Sequence, residues 1–250
     1  MGLVLAEIRK LRTVRTTWAV TALGWLLVAF LSGLVVLESA MSGVFVGSDA
    51  DIAGLVDGIG GNSVIVLVVA ILAMTTEFRH ETIGRTLQLT PSRTKVFASK
   101  LVGGVLYALV FFVTSLVVVG LWALIAVLAK DATVEVGSLV RAALWQGPAG
   151  LALTAVFGVA FGSLVRSQVL GITVALVWVF IVESVINGLL PAVGRWLPFV
   201  ALNSIFANEA FQEGPPNAVP LSGPVAFGVF VVYVVVVSVP AIVLMRVRDV

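Results

Sequence analysis

Residues 101–128 read LVGGVLYALVFFVTSLVVVGLWALIAVL, without one charged side chain. A bilayer core needs about 20 apolar residues in a helix, so this run can cross a membrane even when tilted. A lone strand here would leave backbone groups unpaired in lipid, so the run reads as a helix. The whole chain points the same way. Of its 250 residues 60% are hydrophobic and only 11% charged, with a mean hydropathy of +1.16. Soluble domains are about 45–50% apolar and about 25% charged. Cysteine is absent, which excludes disulfides and thiolate metal sites. The net charge of +2 is too small to argue for a nucleic-acid partner.

Working outward, five more apolar runs qualify or nearly qualify as spans: 17–37, 59–76, 147–165, 169–190 and 224–245. The expected fold is therefore all-α and polytopic, a single transmembrane domain over 1–250 with six transmembrane helices. The first run is too long for the apolar part of a signal peptide and is expected to stay in the mature chain.

The loops suggest an orientation. With the N-terminus in the cytoplasm, twelve cations fall inside: Arg9, Lys10, Arg12, Arg15, Arg79, Arg85, Arg93, Lys95, Lys100, Arg166, Arg246 and Arg248. Only Lys130, Arg141 and Arg195 fall outside. The positive-inside rule then favours cytoplasmic N- and C-termini.

Several shorter pieces complete the layout. Before the first span, Val4, Ile8, Leu11 and Trp18 recur at helical spacing among Glu7, Arg9, Lys10 and Arg12. An amphipathic helix along the membrane surface is expected there. The acidic, glycine-bearing stretch from Glu38 to about Gly58 reads as a solvated outer loop. Residues 191–206 are too apolar for a free loop and too broken for a span, so short interfacial or re-entrant helices are expected between spans five and six. Gly158 and Gly162 form a GxxxG that permits close helix packing, more readily within the monomer than across a dimer. Pro240 should bend the sixth span or loosen its end.

Chemistry is sparse. No GxxxxGK[ST] phosphate loop occurs, so the chain should not hydrolyse ATP itself. One histidine and no cysteine make a structural zinc site implausible. His80 sits in a basic loop with no candidate oxyanion cradle, so catalysis is not expected. Glu183 is the one acid within a span, about 10 Å below the outer surface by helix rise. It reads either as a polar contact on a substrate path or helix clamp, or as a group reaching the outer water, with Arg195 as a plausible partner.

The polar stretch 77–100, EFRHETIGRTLQLTPSRTKVFASK, stands apart between two apolar runs and holds five of the fifteen Lys and Arg residues. It resembles the first cytoplasmic loop of ABC type-2 transporter permeases, in the actinobacterial-like pattern E-[YF]-R-H-G-T-I, then T/V-P-x-R, then a Lys opening the third helix. Glu77, Arg79, His80, Thr82, Ile83, Pro91, Arg93 and Lys100 match it; Glu81 stands where that pattern has Gly. The resemblance implies two permease chains forming a path through a bacterial plasma membrane, with two separate ATPase subunits docked beneath. ATP and Mg would be used by those partners, with no cofactor on this chain. The ATPase-coupling residues it implies are Glu77, Arg79, His80, Glu81, Thr82, Thr86, Pro91, Arg93 and Lys100. Thr82 and Thr86 share a helix face at i,i+4, and Pro91 stops that helix. The function implied is export of an apolar or amphipathic solute such as a drug, peptide or lipid. The alternative is an ion-coupled secondary carrier using Glu183, although no clear internal repeat is seen.

Overall fold

Long apolar runs in lipid must satisfy their own backbone, and the chain does so with helices throughout. The structure, a computed structural model, describes residues 2–42, 47–80, 82, 84, 88, 92–130, 134–206 and 220–247. In order these form α1 (Gly2–Thr13), α2 (Arg15–Ser42), α3 (Asp49–Gly61), α4 (Ser63–Arg79), α5 (Arg93–Lys130), α6 (Ser138–Val165) and α7 (Gln168–Val177). A π-helical turn, Trp178–Val182, leads into α8 (Glu183–Leu189), α9 (Pro191–Gly194), α10 (Pro198–Phe206) and α11 (Gly223–Val247). Among the described residues no strand occurs and six helical stretches are long and apolar enough to cross a membrane. The protein is an all-α polytopic membrane protein.

One expectation fails. The supposed solvated loop up to Gly58 is largely helix α3, and the second span runs from Asp49 to Arg79. Ser48 and Asp51 form a capping box that starts α3. Ile52, Leu55, Val56 and Ile59 then recur at helical spacing and are buried. The glycines of this stretch serve close packing rather than mobility: a Cβ on Gly60 would overlap the Phe206 ring of α10.

The bundle is built around the second and fourth spans, which are 72% and 50% buried, against 17% for the fifth and sixth. The GxxxG of α6 explains their closeness. A Cβ on Gly158 would lie 2.7 Å from the Ala70 Cβ, and one on Gly162 would lie 3.1 Å from the Ile71 carbonyl oxygen, both on α4. The motif thus packs within the chain. α6 begins nine residues before the expected start at 147 and runs through Pro148. Its extra turns are capped from α3: the Asp49 carboxylate accepts from the backbone N–H of Gly137 (2.7 Å), Leu139 (2.9 Å) and Val140 (3.0 Å). α11 is continuous through Pro240.

The short helices expected between spans five and six are α9 and α10. Phe199, Leu202, Ile205 and Phe206 of α10 are buried, and Phe199 meets Phe157 edge-on at 5.5 Å and Phe230 at 6.0 Å. Protein therefore covers α10, whereas Val193 of α9 and Trp196 after it are exposed.

Candidate functional site

Four charged side chains from three helices converge where α4 ends and α5 begins. Glu7 and Lys10 lie on α1, one turn apart; Glu77 is in the last turn of α4; Lys100 is two turns into α5. Their contacts close a ring of alternating sign. Lys10 Nζ is 2.9 Å from Glu7 Oε1 and 2.6 Å from Glu77 Oε1. Lys100 Nζ is 3.2 Å from Glu7 Oε2 and 2.7 Å from Glu77 Oε1. The ring sums to zero charge, which is what allows it to sit where it does. The side chain of Lys100 is 1% exposed and those of Glu7 and Glu77 are 8% and 7% exposed, while Lys10 at 44% closes the ring from outside. Buried ions lose several kcal/mol of hydration each and stay charged only when paired this closely. Burial lowers the Lys10 pKa, but its hydrogen bonds to Glu77 and Glu7 outweigh that and hold it above the usual lysine value.

Two sequence features make the ring possible. Glu7 and Lys10 are spaced i,i+3 on one face of α1. Gly103 lets that face approach α5, for a Cβ there would lie 3.1 Å from the Glu7 Cβ. The apolar stripe of α1, expected to face the membrane surface, is half-buried at Ile8 and Leu11, and Trp18 is half exposed. The buried residue of α1 is Glu7, read from sequence as part of a solvated polar face. The Trp18 indole instead donates to the Arg12 carbonyl at 2.6 Å, bracing the step from α1 to α2.

The residues expected to couple to a partner separate into inner and outer groups. Glu77 and Lys100 are buried in the ring and offer no outer surface. Arg79, His80 and Thr82 are exposed at the end of α4, with His80 at the helix C-cap. Arg79 donates to the Gln168 amide oxygen of α7 (3.1 Å), and Arg93 donates to the Met245 carbonyl near the end of α11 (3.2 Å). Glu81, Thr86 and Pro91 lie outside the described residues. The contacts of Lys100 with Glu7 and of Arg93 with Met245 place α1, the end of α4, the start of α5 and the end of α11 on one face, called here the N-terminal face.

Arg166 adds a second support. It ends α6 in the left-handed region at φ 57°, and its guanidinium lies 5.2 Å from the centre of the Phe78 ring on α4. A non-glycine residue in that conformation marks a turn fixed by its surroundings.

The other acid expected to matter, Glu183, sits elsewhere and does something different. It is 1% exposed. Oε1 accepts from the Trp178 indole (2.6 Å) and the Phe199 N–H (3.2 Å), and Oε2 from the Val200 N–H (2.8 Å). Phe199 and Val200 follow Pro198 in the first turn of α10, where N–H groups have no partner inside the helix. Glu183 is therefore a cap delivered from another helix. Arg195 is not its partner; that guanidinium lies over the Trp196 ring at 5.5 Å. The π turn just before Glu183 inserts an extra residue that sets the direction of the carboxylate.

A cavity of about 630 Å³ opens beside the ring, between α1, the start of α2, the end of α4 and the first residue of α7. Leu3, Leu11, Val14 and Leu72 line it, together with Lys10 and Arg79. Among the described residues no group of three metal-ligating side chains occurs. No protein-family model matches the chain, and no curated protein matches it.

Proposed function

We propose that this chain is the non-catalytic membrane subunit of an ATP-binding cassette exporter. The observation that carries the reading is the segment 77–100: its sequence resembles the coupling loop of ABC type-2 permeases, and its two flanks, Glu77 and Lys100, are joined to each other and to α1 by the buried ring. A force applied at the segment would therefore reach α1, α4 and α5 together. In this reading Arg79, His80, Glu81, Thr82, Thr86, Pro91 and Arg93 meet the ATPase, while Glu77 and Lys100 transmit its motion. Two ATPase subunits would supply ATP hydrolysis with Mg, and a second permease chain, identical or related, would complete the path. The N-terminal face would be cytoplasmic in a bacterial plasma membrane, as the cation distribution favours. The largely apolar spans suit an apolar or amphipathic cargo. Glu183 lends little support to an ion-coupled carrier, because three donors already occupy its carboxylate.

Copurification tests this. The tagged chain, extracted in mild detergent from its native membranes, should bring with it a stoichiometric chain carrying a Walker A motif. His80→Glu, at an exposed position of the proposed contact, should abolish that association and leave the chain's elution on gel filtration unchanged. A chain that elutes alone, with the partner shown to be expressed, would overturn the proposal.

A further inference from the structure

The cavity beside the ring has the make-up of a lipid site. Its position comes from its walls: Thr16 and Thr17 open the first span, Leu72 to His80 close the second, and Gln168 opens the fifth. It therefore sits where the hydrocarbon meets water on the N-terminal face. Its volume of about 630 Å³ falls within the roughly 300–1,000 Å³ of sites for small amphipathic molecules.

Its charge follows by elimination. Glu7, Glu77, Lys10 and Lys100 neutralise one another in the ring. Among the described residues Arg79 is the full charge left on the cavity wall. It is exposed, and it donates to the uncharged Gln168 amide oxygen, which satisfies one N–H and none of the charge. Arg9, Arg12 and Arg15, all exposed, follow on α1 and at the start of α2. An apolar slot with a cationic rim at this depth is complementary to an anionic headgroup on an acyl chain.

We propose that the cavity binds one anionic phospholipid from the leaflet on the N-terminal face, with its phosphate on Arg79 and one acyl chain along Leu3, Leu11, Val14 and Leu72. The inference goes beyond the ATPase reading and does not depend on it, because every wall belongs to this one chain. A lipid seated there would fill the space between α1 and α4.

Native mass spectrometry of the delipidated chain, titrated alone with phosphatidylglycerol or with phosphatidylcholine of matched acyl chains, tests the site. One phosphatidylglycerol per chain should be retained about five-fold more strongly than phosphatidylcholine, the effect of about one cation at an anionic lipid surface. Arg79→Gln should remove the preference and Arg79→Lys should keep most of it. Val14→Trp, which fills the slot, should weaken both lipids, and Arg141→Gln on the opposite face should change neither. Equal retention of the two lipids by the native chain, or a preference that survives Arg79→Gln, would overturn the proposal. Displacement by glycerol 3-phosphate as effective as by intact lipid would overturn the acyl-chain half of it. Failure of the ATPase to copurify would leave all of these results unaltered.

Discussion

Removing one lysine from the buried ring should cost more than removing a lysine together with a glutamate. Lys100→Met leaves Glu7 and Glu77 facing a single ammonium, Lys10, and puts one uncompensated negative charge where side chains are under 10% exposed. Breaking a buried pair in this way costs about 3–5 kcal/mol. For a chain of this size, where 1 kcal/mol moves Tm by roughly 2–4 °C, the melting temperature should fall by roughly 6–20 °C. Combining Lys100→Met with Glu77→Gln leaves the neutral pair Glu7 and Lys10, which the structure already holds at 2.9 Å. The double variant should therefore recover most of the loss. Thermal unfolding in one detergent, followed by tryptophan fluorescence for the native chain, both single variants and the double, gives the coupling directly. Additive losses would refute the closed ring, and so would a Lys100→Met variant as stable as one altered at exposed Lys95.

Three further outcomes follow from the geometry. The Lys10 pKa is raised above its ordinary 10.5, because hydrogen bonds to Glu77 and Glu7 outweigh burial, so its contribution is fully present below that pH and lost as pH rises through the higher folded value; Tm of the native chain should fall above about pH 10.5 more steeply than that of Lys10→Met. Glu183→Ala should lower stability by about 1–3 kcal/mol by leaving the buried Phe199 N–H and the half-buried Val200 N–H without an acceptor, whereas Arg195→Gln should not, as the two variants' melting curves will show. Asp49→Ala should cost about 1 kcal/mol and speed amide exchange at Leu139 and Val140, with the α4 amides unaffected.

Much of the fold was legible because lipid leaves the backbone few options. Run length alone located six spans, and the broken apolar stretch 191–206 announced short helices between spans five and six. The solvated loop expected up to Gly58 fails because its aspartates and glycines read, from composition alone, as water-facing. Their actual roles depend on neighbours far along the chain: Asp49 caps α6, and Gly60 makes room for Phe206. The ring was hidden for a similar reason. Glu7 has ordinary company in sequence, and only the approach of α1 to α5 at Gly103 turns it inward. The spacing of Glu7 and Lys10 was a usable hint, as was the lysine placed just before the glycine pair 103 and 104. The partner of Glu183 could not be read from spacing, since a π turn reorients the helix that carries it.

The central claim is that an ATPase docks on the segment between α4 and α5. The chain has no cysteine, so His80→Cys creates a single attachment point for a photo-crosslinker at an exposed helix end. Irradiated in native membranes, that label should form an adduct with a chain carrying a Walker A motif, and the same label at exposed Leu139→Cys on the opposite face should form none. Equal adducts from both positions, or none to an ATPase from position 80, would contradict the account.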